Sequence, residues 1–276
     1  MADYHEIPDK LTPLPENDFI LTAAQAWKRF YGKGPEVRQL ACCLAQMILE
    51  VGRQKHPDGT YTWGRFCHNY NVGNIKSRPN DGSHWQYYDC GEEVSLKEAQ
   101  HLIAKDPSLV SIKKQYTWGN GSQRASIWIL APHPWCRFRA YETAVDGVLD
   151  YIDFLVTERT RYLTAWNEGV LKGDPVTFSM ELGKAGYYTA DPQRYTKTVV
   201  VLFREFEDKV KFVLEGSEGQ KIFETENEAE RQRILALSGL AVQQAFTSYF
   251  SNAADFDGLD EDEARICQTP NVPTSV

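Results

Sequence analysis

Glu50 lies at the end of EVRQLACCLAQMILEVG, a run in which Val37, Leu40, Ala41, Leu44 and Ile48 recur at helical spacing. At about 100° per residue, Glu50 falls on the flank shared with Cys43 and Met47, off the stripe of Val37, Leu44 and Ile48. Gly52 then ends the helix. A carboxyl in that position is neither central core nor plainly solvated. Desolvation disfavours its charged form, so it keeps its proton nearer neutral pH than an ordinary glutamate. A held proton is what acid-catalysed cleavage of a glycosidic bond needs, because it is given to the leaving oxygen while positive charge builds on the sugar. On the helix alone, Glu50 is a partly exposed helix-end side chain. Its neighbours in the sequence have to decide.

Such cleavage commonly uses a second carboxylate. YYDCGEEV supplies Asp89, Glu92 and Glu93 as candidates. Aromatic rings stack on the apolar C–H faces of pyranoses, and Trp63, Tyr70, Trp85, Tyr87, Tyr88, Trp118 and Trp135 crowd the same part of the chain. Nucleophilic alternatives are poor: His56, His68 and His84 have no G-x-S-x-G or comparable context. The six cysteines form no CxxC pair, and Cys67, His68, Cys90 and Cys136 lack zinc-site spacing. No metal or organic cofactor is expected.

The elements that must position these groups follow from pattern. Pro8, Pro13 and Pro15 make residues 1–20 an extended arm. A helix over Thr22 to Tyr31 stops at Gly32 and Gly34, and Pro35 sits where the next one starts. Residues 52–94, rich in Gly, Asn, Asp, His and aromatics, read as loop. Ser95 and Glu98 form a capping-box pattern for a short helix. SLVSIKKQYTW and ASIWILA read as a hairpin across Gly119 to Gly121, with CRFRAY as a third short strand. Helices follow over Tyr141 to Thr157, Arg161 to Leu171, Asp174 to Ala185 and Asp191 to Phe206, the last two with Asp-Pro starts. KVKFVLEG reads as a strand or a helix end. A long helix over Glu224 to Phe250 and a mobile terminus complete the chain. This order is α+β.

Composition bounds the class. The chain has 276 residues, 42% hydrophobic and 25% charged, which is ordinary for a globular protein. It has no apolar run of membrane-spanning length. The net charge of −8 is uneven: from Glu205 onward 15 acids and 6 bases give −9, and the preceding residues are near neutral at +1. With no basic stripe, nucleic acid is not an expected partner. The acidic, Pro-rich start lacks a basic-then-apolar leader. The chain therefore reads as made in the cytoplasm, with all six thiols reduced, reaching any outside target by lysis or non-classical delivery.

Five segments, in order, resemble one family. AQMILEVG looks like the A-x-x-x-x-E-[ST]-G signature around the catalytic Glu of lysozyme-like glucosaminidases, the group that includes the flagellar rod-cap hydrolase and many autolysins. HNYNVGNIKS resembles its N-L-F-G-I-K loop, WCRFRAYETAVDGVLDYIDFL its F-R-x-Y segment, RYLTAW its R-Y-x-x-[AV] helix, and AGYYTADPQRYTKTVVVLFREF its A-G-Y-A-T-D-P segment. The resemblance covers roughly residues 36–206. It implies a lysozyme-like fold, a mainly helical lobe and a small β lobe with a cleft between them. It also implies hydrolysis of β-1,4 bonds in peptidoglycan glycan strands, commonly after N-acetylglucosamine, with muramidase or lytic transglycosylase action as alternatives. Carried over, Glu50 is the general acid, Tyr187 a cleft tyrosine beside it with Tyr188 adjoining, and Asn71 and Asn74 the loop shaping the cleft floor. Trp63, Tyr70 and Trp85 are substrate-contacting aromatics. Glu92 or Glu93 lies nearest the place of the second carboxylate. The chain departs from the family where Val51-Gly52-Arg53-Gln54 replaces Ser/Thr-Gly-Trp-Gly, with Trp63-Gly64 arriving later. The expected organisation is an arm over 1–20, a glycosidase domain over 21–206 and an acidic helical extension over 207–276. That extension could dock to a phage tail or injection particle, in which case the fold could serve as a non-catalytic component.

Overall fold

The computed structural model describes residues 4–79, 82–119, 121–188 and 190–223. The arm is not free. Ile7 N–H donates to the Trp85 carbonyl at 2.8 Å, Thr12 N–H to Cys67 O at 2.9 Å, and Asn69 N–H to Lys10 O at 2.8 Å. Its end forms β1 (Leu14–Pro15), and α1 (Glu16–Tyr31) begins earlier than expected. Phe19, Ile20, Ala23, Ala24 and Trp27 make a buried stripe that starts inside the supposed arm, and Glu16 and Asp18 suit the positive end of the helix. Gly32, in the left-handed region at φ 70°, closes α1.

α2 (Val37–Val51) is capped by a reciprocal Glu36–Gln39 box, so the helix starts after Pro35 rather than at it. From Leu40 through Ile48 every residue is buried, which makes α2 the axis of the helical core. Gly52 ends it at φ 67°, and a Cβ there would come 3.1 Å from the Phe66 ring.

Residues 52–94 are not the structureless loop expected. β2 (Arg53–Lys55) and β3 (Tyr61–Trp63) form a sheet ordered β1-β3-β2. β4 (His84–Tyr87) and β5 (Cys90–Ser95) follow. These strands are three to six residues long, and the longest, β5, carries Cys, Gly and two Glu, so no alternation marks them. α3 (Leu96–Lys105) starts at Ser95, whose hydroxyl accepts from Glu98 N–H. β6 (Val110–Thr117) and β7 (Gln123–Ile129) form the hairpin read from sequence, and β5 joins it in the order β5-β7-β6. β8 (Arg137–Ala140) is the expected third short strand, paired with β4 rather than with the hairpin. Val94, Ala99, Leu102, Ala125, Ile127, Ile129 and Phe138 close a second core, separate from the helical one.

α4 (Ala144–Asp153) passes into a π-helical turn over Phe154–Glu158, and a second π turn covers Ala165–Val170. α5 (Pro175–Lys184) is capped by Asp174, as expected. α6 (Pro192–Glu215) absorbs KVKFVLEG, and α7 (Ser217–Phe223) follows. The chain does not divide at residue 206. Phe206, Val210, Val213 and Leu214 continue one buried stripe of α6 into the helical core, so residues 207–223 belong to the main body. The expected helix over Glu224 to Phe250 and the rest of the acidic tail lie outside the described residues. Among the described residues, no helix is long and apolar enough to cross a membrane.

One close approach fixes α4. A Cβ on Gly147 would lie 1.9 Å from the Tyr70 carbonyl oxygen. Gly147→Ala therefore pushes α4 off the loop below it. We expect a loss of roughly 1–3 kcal/mol, the usual overpacking range, read as a lower denaturation midpoint with unchanged slope. No change would mean the loop yields.

Candidate functional site

Glu50 ends up almost enclosed, with 3% of its surface exposed. Its Oε1 accepts hydrogen bonds from Tyr195 OH at 2.9 Å and from Gln46 Nε2 at 3.1 Å. Gln46 lies one helical turn earlier on α2, and its own Oε1 accepts from Tyr151 OH at 2.6 Å. Tyr195 arrives from the first turn of α6, and Tyr188 lies face to face with it at 3.6 Å. The acid is thus framed by α2, α4 and α6. Burial, with a smaller push from Glu92, raises its pKa to about 8, against the pull of the Tyr195 and Gln46 hydrogen bonds. At neutral pH Glu50 is therefore mostly a neutral acid.

The second carboxylate resolves by strand geometry. Glu92 and Glu93 are neighbours on β5, so their side chains leave on opposite faces. Glu92 shares a face with Cys90 and Val94 and is 3% exposed. It pairs with Lys76 Nζ at 3.2 Å, which favours the carboxylate form. Lys76 comes from the NIKS segment, and its ammonium lies 4.1 Å from the centre of the Phe138 ring. Glu93 points to the other side, half-buried, with Tyr116 as its hydrogen-bond partner. Glu93 is withdrawn as a site residue on that ground. Asp89 is exposed and accepts from Ala131 N–H at 2.9 Å, a turn contact.

Asn74 is brought to the site. It is buried at φ 49°, donates from Nδ2 to the Glu50 carbonyl at 2.8 Å, and accepts from Tyr88 OH at 3.0 Å. It ties the loop to the end of α2. Asn71 is fully buried and donates to the carbonyls of Ile75 and Arg139, so it braces the loop from inside. Tyr187 is also fully buried. Its hydroxyl lies 3.3 Å from Gly73 O, and its ring packs edge-on to Tyr162. It packs behind Glu50, with Gln46 as a further hydrogen-bond neighbour of its hydroxyl.

The aromatic candidates mostly fail as sugar platforms. Trp63 is 1% exposed, stacked on Phe19 in the helical core. Tyr188 is buried, with its hydroxyl on Ser179 O at 2.9 Å, and positions Tyr195 instead. Trp85 is half-buried beneath the Arg137 guanidinium and holds the N-terminal arm. Tyr70 is half-buried at φ 56°, where its carbonyl meets Gly147. No hydrogen bond links Trp85 or Tyr70 to Glu50. Cys67 lies in the helical core, whereas Cys90 and Cys136 lie in the β core, their sulfurs 3.7 Å apart. No group of three metal-ligating side chains occurs among the described residues.

Gln46, Tyr151, Tyr195 and Lys76 were not singled out from the sequence. Gln46 did carry a signal: it is a lone amide in an otherwise apolar stretch, four residues before the acid. A buried amide needs partners, and the acid one turn on is its natural one.

The two lobes are joined beside the site. Arg139 of β8 bonds both Asp150 oxygens of α4 at 3.0 Å and Glu158 at 2.7 Å. Burial raises the Asp150 pKa, and Arg139 opposes the rise.

Fold and site together define an α+β protein with an enclosed glutamic acid, whose pKa a lysine-paired glutamate raises further. Comparison with family models, with curated proteins and with solved structures finds no match for the chain.

Proposed function

We propose that this protein is a lysozyme-like glycoside hydrolase that cleaves β-1,4 bonds of bacterial peptidoglycan, as an N-acetylglucosaminidase, with Glu50 as general acid. The observation that carries this reading is the enclosed Glu50 carboxyl, its pKa raised to about 8 beside the paired Glu92. A proton-holding carboxyl with a second carboxyl near it is the recurrent equipment of glycosidases. The ordered sequence resemblance supplies the substrate class.

Glu50 donates its proton to the glycosidic oxygen as the C–O bond breaks. The electron pair leaves with that oxygen, and positive charge builds on the ring carbon and ring oxygen. Glu92 is the negative charge available to that cation, or the base that prepares a water for it. The separation of the two carboxyls on bound substrate selects between these roles. Lys76 pairs with Glu92, and Asn74 holds the end of α2 against the loop. Any docking to a delivery particle is assigned to residues 207–276, of which α6 up to Glu215 packs on the helical body.

Zymography on purified walls, with mass spectrometry of the released fragments, tests the reading. A reducing end on glucosamine is expected. A reducing end on muramic acid, or an anhydro-muramic end, would replace the glucosaminidase assignment. Absence of clearing across several wall types would leave the fold as a wall-binding or structural component.

A further inference from the structure

Every hydrogen bond to the Glu50 carboxyl among the described residues falls on one oxygen, Oε1. We propose that Gln46 and Tyr195 are positioning residues that reserve Oε1 as an acceptor, so that Glu50 carries and delivers its proton from Oε2. This rests on the reading of Glu50 as a general acid.

The assignment follows from donors and acceptors. Tyr151 OH donates to Gln46 Oε1 at 2.6 Å. That sets the amide's orientation, because Tyr151 would otherwise face an N–H group. Nε2 is then directed at Glu50 Oε1 at 3.1 Å and at Tyr195 OH at 3.3 Å, one hydrogen for each. The Tyr195 hydroxyl accepts from Gln46 and gives its own hydrogen to Glu50 Oε1 at 2.9 Å. A proton on Oε1 would meet two donors and no acceptor. Oε2 is the position that remains.

The same two donors act again in the reaction. As the Oε2–H bond breaks and the new O–H bond forms on the leaving group, Glu50 becomes a carboxylate in a buried place. Gln46 and Tyr195 already point at it. Hydrogen bonds that strengthen as charge develops lower the barrier without tightening ground-state binding. Tyr195 is held for this by Tyr188 stacking and by the start of α6, where Asp191 caps Arg194 N–H at 2.8 Å.

The test uses Gln46→Met and Tyr195→Phe in the full chain. Each is expected to lower kcat about a hundredfold with little change in KM. Each should also move the basic limb of the pH–rate profile upward, since the lost donors had favoured the carboxylate. Tyr151→Phe, which only frees the amide to turn, should give a smaller change in the same direction. Loss of activity with a basic limb shifted downward would mean that the variants merely admit water, and would overturn the proposal. A second measurement does not need activity. With 13C-labelled glutamate, the Glu50 carboxyl resonance is the one missing from Glu50→Gln, and its titration midpoint should rise in both variants. If the wild type cleaves no wall yet this midpoint rises, the glycosidase reading fails while the Oε1 assignment stands. An unmoved or lowered midpoint sinks the assignment whatever the activity.

Discussion

Glu50→Gln is expected to abolish wall clearing while making the protein more stable at pH 8. The first half follows from chemistry: an amide has no proton to give, and loss of general acid catalysis lowers rates by about 10²–10⁴-fold. The second half follows from linkage. Glu50 has a folded pKa of about 8 against the ordinary glutamate value of 4.5, because burial opposes its charge. The folded state therefore holds a proton that the unfolded chain releases above pH 4.5. The associated stability is fully present below pH 4.5, declines as pH rises, and is gone above pH 8. At about 1.4 kcal/mol per unit, the wild type loses on the order of 4 kcal/mol across that window through this one group. Gln does not titrate, matches the shape, and offers an oxygen to Gln46 and Tyr195. The gain in midpoint temperature should thus be several degrees at pH 8 and near zero at pH 4.5. Clearing by Glu50→Gln at the wild-type rate would remove Glu50 from the mechanism. An equal midpoint difference at both pH values would show that Glu50 does not titrate as described. The same titration sets activity: the wild-type rate should fall as pH rises through about 8.

The helix pattern placed Glu50 as a partly exposed helix-end side chain and missed its enclosure, whereas the capped starts at Ser95, Asp174 and Asp191 were legible because each cap acts within one turn. The β6–β7 hairpin was legible for the same reason, as strand pattern and turn lie side by side. What escaped depended on distance along the chain. Tyr195 lies 145 residues from Glu50, and nothing local in ADPQRYTKT says that its hydroxyl reaches the acid. Trp63 misled because aromatic type records an appetite for burial or stacking without saying which. Its partner turned out to be Phe19, in a segment read as arm. Glu92 and Glu93 could not be separated until β5 existed as a strand. Once it does, the two-residue period assigns Glu92 to the inner face without further information.

Lys76→Met is expected to be the most damaging single change to the fold near the site, and the comparison with Glu92 variants is what gives it meaning. Glu92 is enclosed, and Lys76 is the cation 3.2 Å from it. Breaking a buried ion pair by removing one partner typically costs about 3–5 kcal/mol. Lys76→Met combined with Glu92→Gln should recover much of the loss, since neither charge then remains. If the double variant is no more stable than Lys76→Met alone, the pair does not bear on stability in this way, and the lysine matters through its contacts with Phe138 and the Trp135 carbonyl instead. Glu92→Gln alone isolates the electrostatic role. Glu92 raises the Glu50 pKa, so its neutralisation should move the basic limb of the rate profile down in pH. That shift is opposite in sign to the one expected for Gln46→Met and Tyr195→Phe. The contrast separates the two kinds of neighbour around one carboxyl: a like charge that keeps the proton on Glu50, and two donors that help it leave.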